Sequence, residues 1–248
     1  MTTVPEVVVA PDETESARMA ARWLYEQVCA LAADDRRVRV ALSGGKTPWA
    51  MLRLFVALDP PWQKLDLFQV DERFVPTVDP RSNAGQIARI LPAEAHFHPI
   101  PTDTAPTPEA AAREYEETLG RRRGSSSAGE QALFVPGLLG EEGTDPLFDI
   151  VHLGLGEDGH TASLVPGDSI LTVRDRAVAA TEKPYQGVRR VSLTYPALQR
   201  SGRLLWLITG PNKKAILRRF LQGDPDLPAH RLLRAHDRLF TDRTASDD

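Results

Sequence analysis

The chain has 248 residues, of which 42% are hydrophobic and 26% are charged, so it is long enough to bury a substantial core. Its 30 Lys and Arg residues against 34 Asp and Glu residues give a net charge of −4, which excludes a broad basic surface for nucleic acid or an anionic membrane. The longest apolar run, near residues 204–208, is far shorter than the roughly 20 residues that span a bilayer.

Short β-branched segments alternate with helical patterns along the chain. The predicted strands cover residues 6–10, 37–42, 65–70, 149–155, 176–180, 190–194 and 203–208. The predicted helices cover residues 14–33, 48–58, 82–91, 108–119, 161–164 and 213–221. Several strands are apolar on both faces, which is typical of a parallel sheet covered by helices. We therefore predict an α/β fold: a doubly wound, mostly parallel sheet with right-handed crossovers and helices on both faces, a Rossmann-like three-layer sandwich.

One stretch interrupts this alternation. Residues 101–108 are rich in Pro and Thr, and residues 120–146 contain many Gly together with runs of three Arg and three Ser. A loop of this length within a compact domain is usually a lid, a partner-binding insertion or a disordered segment. We expect one domain over residues 1–248 with a loop-rich insertion at about residues 120–146.

Ligands of open parallel sheets bind beyond the carboxyl ends of the strands, and three loop motifs begin at such ends. The first motif consists of Ser43, Gly44, Gly45, Lys46, Thr47 and Pro48. Its glycines let backbone N–H groups approach an anion, while Thr47 suits an N-cap and Pro48 suits the first helical position. We predict a phosphate-binding loop here, with a simple tight turn as the alternative.

Two other interpretations fit this loop less well. A Walker A loop would require Gly at the position of Val40, which disfavours ATP. A nucleophile elbow would require Gly at the position of Ala41, so Ser43 as a covalent nucleophile is a minor alternative.

The second motif, Asp71-Glu72-Arg73, follows the predicted strand over residues 65–70. At a strand end, Asp71 and Arg73 would face the crevice and supply a carboxylate and a cation near a developing oxyanion. A solvated turn explains the same triplet equally well.

The third motif runs from Gly154 to His160 and has the spacing G-x-G-x-x-G after a strand. This spacing suggests a dinucleotide site, but Glu157 and Asp158 would put two negative charges where a pyrophosphate lies. The glycines fit better as a tight loop that presents His160 beside Asp158, because a carboxylate next to an imidazole fixes its tautomer and raises its basicity. We predict a general base here, with a structural His as the alternative.

Two cations complete the candidate site if the ligand carries a phosphate. Arg190 opens a strand and Lys213 opens a helix. Arg binds phosphate through a planar fork and Lys binds it as a point charge, although an ordinary surface position is the alternative for each. His96 and His98 flank Phe97 without a nearby third ligand, so we predict no metal site.

Taken in chain order, these motifs resemble the 6-phosphogluconolactonase family, which shares its α/β fold with glucosamine-6-phosphate deaminase. The resemblance covers nearly the whole chain. Its most specific element is the run from Asp158 to Leu164, followed by Pro166 and Gly167. The other matching segments are residues 42–48, 71–76, 82–83, 190–194 and 210–213. The main departure is the long segment 120–146, where we expect a shorter connection.

The deaminase is the near alternative. It would ask for an acidic residue shortly after the loop His, where Ser163 to Pro166 contain no carboxylate, and for Tyr at the position of Arg73. A non-catalytic sugar-phosphate sensor of related fold would lack the pair of Asp158 and His160 or would carry a DNA-binding segment. The sequence therefore favours the lactonase.

The resemblance implies hydrolysis of 6-phospho-D-glucono-1,5-lactone to 6-phosphogluconate in the oxidative pentose phosphate pathway, without a cofactor. It implies His160 as the general base, with Asp158 orienting it. Arg73 is then the cation near the developing charge, with Asp71 assisting orientation. The residues implied to hold the 6-phosphate are Ser43, Gly44, Gly45, Lys46, Thr47, Arg190 and Lys213.

The implied partner is a small-molecule sugar phosphate lactone. We expect no nucleic acid or membrane partner, and either a monomer or a small homo-oligomer. The first six residues carry neither the basic start nor the apolar core of a secretory signal, and Cys29 is the single cysteine, so no internal disulfide forms. We therefore expect a cytoplasmic protein.

Overall fold

The fold contains ten strands and six α-helices within residues 4–34, 36–120 and 146–246, which the computed structural model describes. The strands are β1 (Glu6–Ala10), β2 (Val38–Leu42), β3 (Leu65–Gln69), β4 (Asp71–Arg73), β5 (His96–His98), β6 (Phe148–Leu153), β7 (Val178–Ala180), β8 (Arg190–Leu193), β9 (Ser201–Ile208) and β10 (Arg238–Asp242). The helices are α1 (Glu13–Ala32), α2 (Lys46–Ala57), α3 (Asn83–Ala88), α4 (Pro108–Gly120), α5 (Tyr195–Gln199) and α6 (Lys214–Leu221).

Seven strands form one sheet in the spatial order β1-β10-β9-β6-β2-β3-β5, and every neighbouring pair is parallel. The strands that follow β2, namely β3 and β5, are added on one side of it. The strands that follow β6, namely β9 and β10, are added on the opposite side. The topological switch point therefore lies between β2 and β6, where a crevice opens at the carboxyl ends of the strands. This is the doubly wound α/β fold that the sequence predicts.

Helices cover both faces of this sheet and bury two hydrophobic cores. Along β9, Leu204, Trp206 and Ile208 pack into one core, whereas Leu205 and Leu207 pack into the other, because successive side chains alternate between the faces. The first core also contains residues of α4 and α6 and of the second sheet described below. The other core contains residues of α1 and α2. Burial on both faces explains why the strands are apolar throughout.

The strands predicted over residues 176–180 and 190–194 do not join the parallel sheet. They are β7 and β8, which form a three-stranded antiparallel sheet with β4 in the order β4-β8-β7. The connection between β7 and β8, residues 181–189, is shorter than the crossover that parallel neighbours need, so the second strand returns antiparallel. The register of this sheet places Arg73 opposite Arg190.

Other differences from the predicted elements concern short segments. The predicted helix over residues 161–164 is a turn, closed by a bridge between Thr161 and Leu164, with Ala162 at φ +53°. The sequence also does not predict β4, β5, β10 or α5, all of which have five residues or fewer and carry too little periodicity to be recognised. The remaining predicted elements are present, with ends shifted by at most three residues.

The expected insertion at about residues 120–146 lies almost entirely outside the described residues. Its form, and the expectation of one domain over residues 1–248, therefore stay predictions. Within the described ranges, no helix is long and apolar enough to cross a membrane.

Candidate active site

The first predicted loop follows β2 and leads directly into α2. The helix begins at Lys46 with Gly45 as its N-cap at φ +126°, so the predicted N-cap role of Thr47 is wrong. Thr47 occupies the second helical position, and its hydroxyl oxygen lies 3.3 Å from that of Thr209, which follows β9. The first turn of α2 therefore presents N–H groups that lack partners within the helix, and such groups suit an anion.

Gly44 lets this loop lie directly against α3. A Cβ atom at this position would be 1.8 Å from Oδ1 of Asn83, so a larger residue requires displacement. Nδ2 of Asn83 donates to the backbone carbonyl of Asp71 at 3.1 Å, and Oδ1 of Asn83 accepts from Nη1 of Arg73 at 2.5 Å. Asn83 thereby connects the first loop to β4.

Asp71 and Arg73 lie on a strand and not in a turn. Alternate strand residues share one face, so the two side chains point the same way. Oδ2 of Asp71 accepts from the hydroxyl of Ser163 at 2.6 Å, and Nη1 of Arg73 also donates to the backbone carbonyl of Arg81 at 3.0 Å. The structure thus brings the predicted carboxylate and cation to the crevice, fixed by strand pairing.

Glu72, between them, is fully buried on the other side of β4. Its carboxylate accepts hydrogen bonds from five groups: the side chains of Gln69 and Ser82 and the backbone N–H groups of Arg73, Asn83 and Ala84. Burial raises the pKa of this carboxyl, and the hydrogen bonds from Ala84 and Asn83 oppose that rise. Glu72 therefore fixes β4 against the start of α3, a role that the charged triplet alone does not reveal.

The third loop, after β6, holds His160 against Asp158. Nδ1 of His160 lies 2.5 Å from Oδ1 of Asp158, and the backbone N–H of His160 donates to the same oxygen at 3.2 Å. Glycine is required at position 156, because a Cβ atom on Gly156 would lie 2.1 Å from Nδ1 of His160. The hydroxyl of Thr161 donates to the carbonyl of Gly154 at 2.8 Å and closes the loop.

This contact sets the chemistry of the pair. Burial opposes ionisation of Asp158, but the hydrogen bond and charge of His160 outweigh it and hold the pKa of Asp158 well below its usual range. An ionised Asp158 accepts the hydrogen bond from Nδ1–H and leaves Nε2 of His160 for proton transfer. A turn and not a helix follows the loop, so the helix N-terminus that a dinucleotide pyrophosphate needs is missing at this position.

Two further cations line the crevice, of which Lys213 is half-buried and Arg190 is buried. Burial lowers the pKa of Lys213, which ends the short 3₁₀ helix Pro211–Lys213, and the negative charge of Glu157 opposes this. Burial also lowers the pKa of Arg190, which is 6% exposed, and the charge of Asp71 opposes that. Among the described residues, Nε of Arg190 has no hydrogen-bond partner. An anion would supply the hydrogen-bond partner that Nε of Arg190 lacks.

A cleft of about 330 Å³ joins these groups where β2, β6 and β9 end. Most of the predicted site residues line it: Ser43, Gly44, Lys46, Thr47, Asp71, Arg73, His160, Arg190 and Lys213. Gly45 and Asp158 do not line it, although Asp158 is connected to it through His160.

Ser43 lines the cleft, but its hydroxyl already donates a hydrogen bond to the backbone. The hydroxyl donates to the backbone carbonyl of His152 at 2.8 Å. Because a nucleophilic Ser needs that hydrogen on a general base, the structure disfavours Ser43 as a covalent nucleophile.

Polar residues to which the motifs assign no role also line the cleft: Asn83, Tyr185, Gln186 and Thr209. Asn83 lies within a segment that matches the family, but nothing in the sequence indicates its contacts. Tyr185 and Gln186 belong to a turn before β8, and Gly187 is the one sequence signal for that turn.

The chain matches the family model of "Glucosamine-6-phosphate isomerases/6-phosphogluconolactonase" over residues 11–241. It is 36% identical over 194 residues to the 6-phosphogluconolactonase of Synechocystis sp., covering 75% of this chain and 72% of the relative. It is 32% identical over 218 residues to that of Nostoc sp., covering 85% and 82%. The crystal structure of 6-phosphogluconolactonase from Thermotoga maritima superposes with a TM-score of 0.77 at 26% identity, covering 96% of this chain and 100% of that one. The chain therefore belongs to the family of glucosamine-6-phosphate isomerases and 6-phosphogluconolactonases.

Proposed function

We propose that this protein hydrolyses 6-phospho-D-glucono-1,5-lactone to 6-phospho-D-gluconate, the second step of the oxidative pentose phosphate pathway. The observation that carries the proposal is that His160, held by Asp158, lines the same cleft as the cations Arg190 and Lys213. Hydrolysis of a lactone needs a base for the attacking water and an acid for the leaving oxygen, and a phosphate group needs cations. The lactonases among the relatives support the same reaction.

His160 acts first as base and then as acid. Nε2 takes a proton from a water molecule while the water oxygen attacks C1 of the lactone, and the carbonyl oxygen becomes an oxyanion near Arg73. Asp158 stabilises the imidazolium in the meantime. When the bond between C1 and the ring oxygen breaks, the ring oxygen receives the proton from His160. Atoms and protons balance with water alone as the second reactant.

The phosphate binds to a second group of residues around the same cleft. The residues that hold it are Ser43, Gly44, Gly45, Lys46 and Thr47 of the first loop, together with Arg190 and Lys213. The carboxylate of Asp71 interacts electrostatically with Arg190 and helps to orient it. Anchoring the phosphate aligns C1 with His160, so binding energy is used for orientation.

Deaminase chemistry fits the same site less well. The segment after His160 offers Ser163 and Leu164 in place of an acid, and the hydroxyl of Ser163 is used in the hydrogen bond to Asp71. Arg73 occupies the position where the deaminase resemblance asks for Tyr.

The test is the decay of freshly generated 6-phosphogluconolactone at neutral pH with wild-type protein, with His160→Ala and with buffer alone. Wild-type protein accelerates the decay, and in His160→Ala the enzymatic rate falls on the order of 10²- to 10⁴-fold. His236→Ala is the matched control, because that imidazole is 59% exposed and outside the cleft, and it keeps the wild-type rate. Equal decay with wild type and buffer refutes the proposal, whereas a wild-type rate for His160→Ala refutes only the assignment of the base.

Four expectations from the sequence belong to this proposal. The protein acts in the cytoplasm, as a monomer or small homo-oligomer, and as one domain over residues 1–248. No nucleic acid takes part, since the net charge is −4.

A further inference from the structure

We infer that Tyr185 is a positioning residue that fixes the Asp158–His160 pair from the side of the small antiparallel sheet. This inference rests on the proposed function, since it assigns Tyr185 a part in the same reaction. Tyr185 lies outside the three loop motifs and reaches the pair across 27 positions of sequence.

The first observation is that both oxygens of Asp158 have donors. Oδ1 accepts from His160, through Nδ1 at 2.5 Å and through the backbone N–H at 3.2 Å. Oδ2 accepts from the hydroxyl of Tyr185 at 3.1 Å. A carboxylate held at both oxygens does not rotate about its last side-chain bond, so the hydrogen bond that sets the His160 tautomer keeps its direction.

The second observation is that the ring of Tyr185 packs against the imidazole itself. The ring centroids of Tyr185 and His160 are 5.2 Å apart with an interplanar angle of 68°, an edge-to-face arrangement. The hydroxyl of Tyr185 also lies 3.5 Å from Nδ1 of His160. Tyr185 therefore restricts the orientation of the base as well as that of its carboxylate.

The third observation is that the turn carrying Tyr185 is itself held firmly. Tyr185 and Val188 bond to each other across a tight turn, with Gln186 at φ +53° and Gly187 at φ +80°. Nη2 of Arg190 donates to the carbonyl of Tyr185 at 3.3 Å, and its guanidinium carbon lies 5.5 Å from the centre of the Tyr185 ring. Arg190, one of the cations proposed to hold the phosphate, thus supports the residue that fixes the base.

The electrostatic effect follows from the donor role of the hydroxyl. Burial and the charge of Asp158 raise the pKa of Tyr185, so the hydroxyl stays protonated and donates. By donating to Asp158 it withdraws negative charge that would otherwise favour the imidazolium form of His160. Three other charged residues lie near Asp158 and His160: Glu157, Arg190 and Lys213. All three stay in place when only the hydroxyl of Tyr185 is removed, so a change in the pH dependence can be assigned to that hydroxyl.

The experiment compares Tyr185→Phe with wild type in the lactone assay over a range of pH. The variant keeps the ring and loses one hydrogen bond to a charged group, so kcat falls about 10-fold while KM stays within about 2-fold. The acid limb of the profile of kcat/KM against pH moves to higher pH, because Asp158 then acts on His160 with its full charge. A purely structural role for Tyr185 would leave that limb in place.

Tyr25→Phe is the matched control, since it removes a tyrosine hydroxyl on α1, outside the cleft. It keeps the wild-type profile. An unchanged kcat for Tyr185→Phe, or a reduced kcat with an unmoved acid limb, overturns the inference while the wild-type activity stands. Absence of activity in the wild type overturns the proposed function itself, so the two failures are distinguishable.

Discussion

Arg190 illustrates how burial prepares a cation for an anionic ligand. Its hydrogen bonds to the carbonyl of Tyr185 and to Oε1 of Gln186, at 3.3 Å and 3.5 Å, are both long. Strand pairing places a second cation, Arg73, opposite it, and two like charges close together raise the cost of keeping both ionised. A phosphate dianion lowers that cost and satisfies the donors, so Arg190 should contribute to substrate affinity.

We predict that Arg190→Lys raises KM for the phosphorylated lactone by about 10- to 100-fold, with a smaller change in kcat. Lysine keeps the charge but loses the planar fork that matches two phosphate oxygens. Steady-state kinetics with 6-phosphogluconolactone measure the effect. The control substrate is gluconolactone without a phosphate, for which the loss of kcat/KM should be much smaller and limited to the support that Arg190 gives to Tyr185. An equal loss on both substrates would contradict the phosphate role.

At the residue scale, the sequence indicates which groups are charged but not which groups they meet. Asp158 and His160 are two residues apart, so their pairing follows from a tight glycine loop. The donors to Glu72 come from a strand, a loop and the start of α3, and Tyr185 meets Asp158 across 27 positions. Such contacts depend on the fold, which is why the motifs did not reveal them.

At the scale of elements, the first loop and α3 depend on each other. Gly44 leaves room for Asn83, and Asn83 holds both Arg73 and the backbone of Asp71. The loop that binds phosphate and the strand that carries the cation near C1 are therefore connected through one amide side chain. A change in the loop should be transmitted to Arg73.

We predict that Gly44→Ala lowers kcat/KM on the order of 10²-fold, the effect of a misplacement of about 1 Å. The new Cβ atom would lie 1.8 Å from Oδ1 of Asn83, so either the loop or Asn83 must move. Gly120→Ala at the end of α4 is the control, since no heavy atom of the described residues lies within 4 Å of a Cβ atom there. Wild-type kinetics for Gly44→Ala would show that the loop adapts without disturbing Arg73.

The sequence predicts those helices and strands that are long enough to show a clear hydrophobic periodicity. The long helix α1 and the strands β2, β3 and β9 were predicted nearly to their ends. β4 and β5 have three residues each, and the turn over residues 161–164 imitates one turn of helix. Antiparallel pairing of β7 with β8 was predictable from their short connection, but β4 joins them from a distant part of the chain.

At the scale of the whole molecule, the carboxyl ends of the parallel strands form the site, whereas their amino ends contribute to stability. The carboxyl ends carry the cleft, with its incompletely paired cations. The amino ends carry a buried carboxylate with complete partners: Asp66 of β3 accepts from Arg37 at 2.7 Å through both oxygens and lies 3.2 Å from Nε2 of His98 on β5. Asp66 thereby joins β3 to the residue before β2 and to the last residue of β5, and it stabilises the sheet without entering the site.

This carboxylate should make the stability of the protein depend on pH. Burial would raise the pKa of Asp66, but the hydrogen bonds from His98 and Arg37 outweigh it and hold the pKa well below its usual range. A carboxyl whose pKa is lower in the folded state stabilises the fold above its unfolded pKa of about 3.9, and that contribution is lost as pH falls toward the folded pKa. The free energy of unfolding should therefore decrease steadily below about pH 5.

We predict that Asp66→Asn lowers the free energy of unfolding at pH 7 by about 2 kcal/mol, because Arg37 loses its charged partner, and that it flattens the decrease in acid. Urea denaturation at several pH values measures both effects. Asp175→Asn is the control: Asp175 is also paired, with Arg176, but the two side chains are 70% and 54% exposed, so this variant should follow the wild-type curve. If Asp66→Asn lost stability in acid as steeply as wild type does, carboxylates other than Asp66 would govern the acid sensitivity, and the ion pair at the amino ends of the strands would contribute only a pH-independent part of the stability.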